Sequence, residues 1–230
     1  RFMQKLAFWI VLVSLFIACG EKSKDINKDD DIETVDFISS FPEKALPIQF
    51  THKDLIKKEN DSFFLKPTVV EKFIPDSIFK KEFSKIKNAR FFRKARYKAE
   101  ETEETYLFLA VEGNNTKVFY LICFNEKNEF TTGMKLLEKS AELGVTMEGG
   151  LDKRLTIIKT KNKESKDKKN YYEKSAFVYN TEGVFTLILT ESNAPLEKQT
   201  IYNPIDTSGK KNPLSGDYKI DDKNFVSIRD

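Results

Sequence analysis

A run of basic and aromatic residues is the part of this sequence whose residue types are best suited to bind a charged ligand. Its members are Arg90, Phe91, Phe92, Arg93, Lys94, Ala95, Arg96, Tyr97 and Lys98. Cations neutralise phosphate or carboxylate groups, and aromatic rings stack on bases or sugars. The candidate patch for an anionic polymer or a glycan comprises Arg90, Arg93, Lys94, Arg96, Tyr97 and Lys98. The simpler interpretation, which we favour, is a strand with a basic solvent face, which also discourages edge-to-edge pairing.

Residues for acid–base or nucleophilic chemistry are scarce. The chain has one histidine, His52, and it stands in the polar context of Lys53 and Asp54. A catalytic triad or a histidine-rich metal site therefore has little to build on. Walker-type, CxxC and HExxH motifs do not occur in the sequence, and Gly149-Gly150 is interpreted as a turn. We assign no catalytic residue, no metal ligand and no cofactor.

The acidic run at positions 100 to 104 is the remaining candidate for chemistry. Its carboxylates belong to Glu100, Glu101, Glu103 and Glu104. Such groups bind cations, and in pairs they hydrolyse glycosidic bonds. The alternative, which we favour, is an ordinary charged turn between two strands.

The two cysteines, Cys19 and Cys123, have different surroundings. Cys123 lies in the apolar run from Val118 to Phe124, which predicts a buried and unreactive thiol. Cys19 lies between an apolar segment and a polar one. The two are therefore poor candidates for a disulfide.

Helical patterns are few and lie toward the N-terminal side. Thr51 is a candidate cap for a short helix ending at Lys58. The strongest pattern covers Pro75 to Ile86, with Asp76 or Ser77 as cap and the apolar side chains Ile78, Phe79, Phe83 and Ile86 on one face. Residues 37 to 50 contain two prolines and are expected to be extended.

From position 94 onward the pattern is that of successive strands. They are predicted at 94–99, 106–111, 117–124, 130–137, 154–160, 171–179 and 184–190, and residues 138–150 form a looser link. Short turns with Asn, Gly and charged residues separate them. The sequence therefore predicts a mainly β fold, an antiparallel meander that forms a curved sheet or a barrel, with one or two short helices near the N-terminal side.

The start of the chain has the pattern of an export signal. Lys5 precedes an apolar run from Leu6 to Ala18, which is too short for a membrane-spanning helix of about 20 residues. The sequence Leu15-Phe16-Ile17-Ala18-Cys19 resembles the lipobox of bacterial lipoproteins, with Phe16 where Leu is more common. The resemblance implies cleavage between Ala18 and Cys19 and lipidation of Cys19, which would anchor the protein to a membrane.

The expected organisation follows from this resemblance. Residues 1–18 form the lipoprotein signal peptide, residues 19–36 a charged and flexible tether, and residues 37–230 a single β-rich domain. The residues before Met3 and the strand-like end at 224–228 suggest that the sequence is a fragment. We expect a lipid-anchored location in the cell envelope, at the outer membrane, on the periplasmic face or the cell surface. The acidic stretch Asp29 to Asp31 loosely resembles a surface-export signal.

The predicted function is that of a binding module. Removing Arg1 and Lys5 with the signal lowers the formal net charge from +3 to +1, so we expect no nucleic-acid partner. The leading hypothesis is a non-catalytic module for a glycan or another envelope ligand, which predicts exposed aromatic rings on one face. The alternatives are a protein-interaction factor, such as an inhibitor or assembly protein, and a carboxylate-dependent hydrolase. The domain resembles β-rich lipoproteins of Gram-negative bacteria in the style of its strands and turns, a likeness that carries no functional residues.

Overall fold

Two five-stranded antiparallel sheets dominate the computed structural model, which confirms the prediction of a mainly β, antiparallel fold. The structure describes residues 26–27, 31–83, 86–113, 116–140, 143–164 and 170–194. The expected signal peptide, Ala18, Cys19 and the strand-like end at 224–228 therefore lie outside the described residues.

The first sheet has the strand order β2-β3-β4-β5-β6 and the second the order β1-β7-β8-β9-β10. The strands of the first sheet are β2 (Phe64–Leu65), β3 (Arg90–Lys98), β4 (Thr105–Gly113), β5 (Thr116–Phe124) and β6 (Phe130–Glu138). Those of the second are β1 (Ile48–Thr51), β7 (Val145–Leu151), β8 (Ile157–Glu164), β9 (Asn170–Tyr179) and β10 (Phe185–Ser192). Each sheet has an edge strand at both sides, so neither closes on itself within the described residues.

The helices are short and precede most of the strands. They are α1 (Thr34–Ser39), α2 (His52–Ile56) and α3 (Pro67–Phe73), with 3-10 turns at Asp61–Phe63, Asp76–Ile78 and Ile86–Asn88. The predicted short helix after Thr51 is present as α2. The Oδ2 atom of Asp54 accepts hydrogen bonds from the backbone N–H of Thr51 at 2.8 Å and from its hydroxyl at 3.1 Å. This reciprocal cap fixes the start of α2.

Two predictions for the N-terminal side were wrong. Residues 75–83 of the predicted helix are not an α-helix but a 3-10 turn followed by further turns. Phe79 and Phe83 are nevertheless both buried, and the N–H of Phe83 donates a hydrogen bond to the carbonyl of Phe79 at 2.9 Å, as in one turn of a helix. Residues 37–50 are not uniformly extended either, since α1 places Phe37 in the core before the chain extends beside β3.

Both faces of the first sheet are covered, which explains the unbroken apolar character of β4 and β5. Alternate residues such as Leu107 and Leu109 pack against the helical segments. Their neighbours, such as Phe108, pack against the second sheet, where Phe50 lies 5.4 Å from the Phe108 ring. The described residues up to 194 therefore form three layers around two apolar cores.

Strand β7 corrects the prediction of a loose link at 138–150 and of a turn at Gly149-Gly150. Gly150 lies inside the strand, paired with Gln49 of β1. A side-chain carbon at Gly150 would collide with the carbonyl oxygen of Ile48. The glycine therefore permits the close approach of β1 to β7, a role that its sequence context does not reveal.

Part of the expected tether contacts the domain. Ile26 is buried in the first core. Asn27 donates a hydrogen bond to the carbonyl of Phe64 at 2.9 Å and accepts one from the N–H of Lys66 at 2.9 Å. The chain is thus held against the domain before α1 begins.

Candidate functional site

The arginines at the start of the basic segment, defined as Arg90–Lys98, are held by neighbouring chain segments. Arg90 forms an ion pair with Asp61 at 2.5 Å, and its guanidinium lies over the ring of Phe92. Arg93 donates hydrogen bonds to the carbonyl oxygens of Ser40 at 3.0 Å and Ser62 at 2.8 Å. These arginines therefore fasten the loops around α1 and the 3-10 turn at 61–63 to β3.

The remaining members of the basic segment also have partners within the chain. Arg96 pairs with Glu43 at 2.7 Å, and Tyr97 packs against the second core. Lys98 approaches Glu103 at 3.6 Å, but both side chains are 60% exposed, so this pair adds little stability. Most of the candidate patch is thus engaged in holding the fold, and its role in ligand binding stays a prediction.

Lys94 belongs to a buried charge cluster around Glu59. The Glu59 side chain is only 5% exposed, and Lys94 lies 2.8 Å from its Oε2 atom. Lys117 contacts the other carboxylate oxygen and donates hydrogen bonds to the carbonyls of Asp54 at 3.0 Å and Lys57 at 2.6 Å. Lys117 also lies 3.6 Å from Glu112, so two ammonium groups face the buried Glu59 and the partly exposed Glu112. Lys117 in addition caps the end of α2.

A second charge cluster, the Glu82 network, links the helical layer to the first sheet. The Oε1 atom of Glu82 lies 2.9 Å from the ammonium of Lys135 on β6, and its Oε2 atom accepts a hydrogen bond from the Tyr120 hydroxyl at 2.9 Å. Lys135 also pairs with Glu138 at 2.7 Å. Sequence reasoning did not find this network, because Glu82 and Lys135 lie 53 positions apart.

The protonation states in the Glu82 network suit a structural role better than proton transfer. Burial opposes ionisation of Glu82, but hydrogen bonds from Lys135 and Tyr120 lower its pKa overall. Burial likewise opposes the charge of Lys135, and its bonds to Glu138 and Glu82 nevertheless raise its pKa. Burial and the bond to Glu82 raise the pKa of Tyr120. Each group is thus held in its usual neutral-pH form, whereas a general acid or base needs a pKa near the working pH.

Lys159 of β8 lies in the space between the two sheets. Its ammonium donates a hydrogen bond to the carbonyl of Lys135 at 3.0 Å and lies 5.9 Å from the centre of the Phe177 ring. Burial, followed by the charge of Lys135, lowers the pKa of Lys159. The residue ties β8 to β6 through a cation that is partly withdrawn from water.

The other candidates for chemistry do not converge into a site. Glu100, Glu101 and Glu103 are exposed in the turn between β3 and β4. The buried Nδ1 atom of His52 has no hydrogen-bond partner among the described residues. In the same part of the chain, no group of three or more His, Cys, Asp or Glu side chains is arranged to hold a metal ion.

Cys123 is buried, as predicted, on the side of β5 that faces the second sheet. Burial is the main cause that raises the pKa of its thiol, to about 12. Since the thiolate is the nucleophile, a thiol with so high a pKa is unreactive at neutral pH.

Strand β10 carries three consecutive exposed aliphatic side chains. Leu187, Ile188 and Leu189 are 52%, 56% and 51% exposed. We name these three residues the apolar edge. The ladder with β9 shifts register between Leu187 and Leu189, which leaves Ile188 unpaired in it. Contiguous exposed aliphatic side chains on an edge strand are typical of an interaction site.

The other sheet edges lack this combination of length and apolar exposure. Strand β2 has two residues and β1 has four. Strand β6 is longer, but it carries the charged pair Lys135 and Glu138. Strand β10 has eight residues, and its one charge, Glu191, accepts a hydrogen bond from the Tyr172 hydroxyl at 2.5 Å. Short strands, charges and β-bulges protect edges from pairing. Strand β10 is long and has no charge along its middle, and its one irregularity is the register shift at Ile188.

The apolar edge was not recognised from the sequence, although strand 184–190 was predicted. A signal was present, since Thr186-Leu187-Ile188-Leu189-Thr190 lacks the alternation of a half-buried strand. Such a run is also typical of a strand that is buried on both faces, as β5 is. Only the sheet order distinguishes these two cases.

Aromatic rings, which the glycan hypothesis requires on one face, are mostly not exposed. Among the described residues, Phe63 is the one Phe, Tyr or Trp side chain in the exposed class.

Within the same residues, no helix is long and apolar enough to cross a membrane. Comparison with protein-family models, with curated proteins and with solved structures found no match to this chain.

Proposed function

We propose that this protein is a lipid-anchored component of the bacterial cell envelope that binds another protein chain through β10 and catalyses no reaction. The observation that carries the proposal is the apolar edge, formed by Leu187, Ile188 and Leu189. An added strand satisfies the outward backbone groups of an edge strand and covers its side chains, which is a common mode of peptide and protein recognition.

The distribution of charge supports binding to protein rather than to an anionic polymer. The cations of the basic segment have partners such as Glu59 for Lys94 and Glu43 for Arg96. A polyanion would have to compete with these ion pairs. The apolar edge has no such internal competitor among the described residues, and covering it releases water from aliphatic surface.

The expected lipid on Cys19 supplies the location of the proposed function. A chain confined to a membrane surface meets other envelope proteins at a high effective concentration. A modest edge contact can then hold an assembly that would dissociate in dilute solution.

The test is the size of the full-length protein after extraction from membranes in a mild detergent. We compare the wild type with Ile188→Lys, which places a charge in the apolar edge. Because Ile188 is more than half exposed, we expect the change in the free energy of unfolding to stay within about 0.5 kcal/mol. The matched control is Leu143→Lys, at a residue that is 97% exposed and outside the strands.

We expect the protein molar mass measured by light scattering to exceed that of one chain for the wild type and for Leu143→Lys. For Ile188→Lys we expect the mass of one chain. A wild-type protein that is a single chain under these conditions would rule out the proposed function.

A further inference from the structure

We infer that the chain that docks on β10 is a second copy of this protein, paired with it edge to edge as antiparallel strands around a two-fold axis. This inference rests on the proposed function and names its partner. The residues that carry it are those of β10, Phe185–Ser192.

The pattern of β10 is complementary to itself. An uncharged run, Thr186 to Thr190, occupies its middle and contains the apolar edge. When two such strands run antiparallel about an axis near Ile188, aliphatic side chains meet aliphatic side chains and the threonines lie outside them. A two-fold interface brings the same patch of both copies together, so it requires this kind of self-complementarity.

The charge on β10 is placed where it does not oppose this pairing. Glu191 lies three residues from Ile188, so the two Glu191 side chains of a pair stand about 20 Å apart along the strands. That separation exceeds the screening length of about 8 Å at physiological salt. Each Glu191 carboxylate also accepts the hydrogen bond from Tyr172 of its own chain.

The opposite edge of the second sheet is not an equivalent partner for β10. Strand β1 has four residues, and its Ile48 and Phe50 side chains are buried in the second core. Pairing of β10 with β1 of another copy would join only half of β10, and such a head-to-tail contact continues into a ring or an open filament. Pairing of β10 with its own copy joins the stretches on both sides of the register shift at Ile188 and closes as a dimer.

The experiment is photo-crosslinking in membranes that hold two full-length copies with different tags. The photoreactive amino acid p-benzoylphenylalanine replaces Leu187 in one copy, and Ile56 on α2, which is 64% exposed, is the matched control position. We expect a crosslink from position 187 to the differently tagged copy, mapped to 185–192, and none from position 56.

Charge substitutions at Ile188 test the two-fold relation. If both copies carry Ile188→Lys, the crosslink should fall by about tenfold or more, because like charges then meet in an apolar contact. If one copy carries Ile188→Lys and the other Ile188→Glu, the crosslink should return. Thermal unfolding of each variant checks that the fold is kept.

Each other outcome overturns the inference in a distinguishable way. A crosslink from position 187 to a different protein would remove the second copy as the partner and leave the proposed function standing. A crosslink only within the same chain, to residues 195–230, or no crosslink at all would remove both. A loss with Ile188→Lys that Ile188→Glu does not reverse would overturn the two-fold pairing.

Discussion

The ammonium nitrogen of Lys94 on β3 lies 2.8 Å from the Oε2 atom of Glu59, a carboxylate that Lys117 of β5 also contacts. This relationship changes the interpretation of the basic segment. A residue that the sequence offers as a ligand contact serves inside the domain, where it balances a carboxylate that is almost fully buried. Arg93 likewise serves inside the domain, because its guanidinium donates hydrogen bonds to backbone carbonyls of two earlier loops.

Glu59→Gln should destabilise the fold strongly. The substitution removes the negative charge that balances Lys94 and Lys117, and breaking a buried ion pair costs about 3 kcal/mol or more. The measurement is the free energy of unfolding in urea. The control is Glu103→Gln, whose partner Lys98 is equally exposed, and its effect should stay below about 1 kcal/mol. Equal effects of the two substitutions would contradict a structural role for the Glu59 cluster.

The stability of the protein should depend on pH through the Glu82 network. Because the folded-state pKa of Glu82 is lowered from its ordinary value of 4.5, its contribution to stability is present above that value and is lost as the pH falls through the lowered pKa. Because the pKa of Lys135 is raised from 10.5, its contribution is present below that value and is lost as the pH rises through the raised pKa. We therefore expect the network to weaken in acid and in alkali.

Lys135→Met should move the onset of acid unfolding to a higher pH, since Glu82 then loses the cation that lowers its pKa. The measurement is the urea midpoint of unfolding between pH 3 and pH 7. The control, Lys80→Met, removes an exposed pair with Asp76 at 3.1 Å and should leave the acid profile in place. Parallel profiles for wild type and Lys135→Met would show that the network does not titrate as described.

Cys123 should be unreactive in the folded protein. In a Cys19→Ala chain it is the only thiol, and a thiol reagent at pH 8 should label it only after unfolding in guanidinium. Adding Leu143→Cys to the same chain supplies an exposed thiol that should react at once. Rapid labelling of Cys123 in the folded state would mean that the face of β5 toward the second sheet is open to solvent.

The lipid anchor has a test that is independent of the domain. Expressed in a Gram-negative host, the wild-type chain should be found in the membrane fraction, with an intact mass that starts at an acylated Cys19. Cys19→Ala should leave that fraction. A wild-type protein without acyl chains would disprove the lipobox interpretation and the expected location with it.

The strands were the most predictable part of the fold, because their turns carry specific chemistry. The turn after Asn125 was expected, and the Asn125 side chain accepts the N–H groups of Lys127 and Glu129, both at 2.9 Å. The turn after Asn180 was also expected, and it has the same arrangement, with Gly183 at a positive φ of 76°. Such turns depend on a few adjacent residues, which a single sequence displays.

The elements that were missed depend on contacts between distant residues. Strand β7 alternates from Val145 to Glu148, but Gly149 and Gly150 interrupt the pattern and suggested a turn. In the structure these glycines leave room for Leu136 and for β1. The spacing of Phe79 and Phe83 suggested a helix. In the structure, the position of the Phe79 ring depends on its contacts with the rings of Phe91 and Tyr120. The candidate site shares this limit, because the exposure of β10 follows from its place at the end of a sheet.

Whether β10 pairs with another chain can be measured directly by hydrogen–deuterium exchange of the backbone amides at 186–190 in the full-length, membrane-held protein. If β10 pairs with another chain, the outward amides of this strand should be protected in the wild type and in Leu143→Lys, and should exchange about tenfold faster in Ile188→Lys. Rapid exchange of these outward amides in the wild type, at the rate seen in Ile188→Lys, would mean that the apolar edge binds nothing and would contradict the pairing of β10 with another chain.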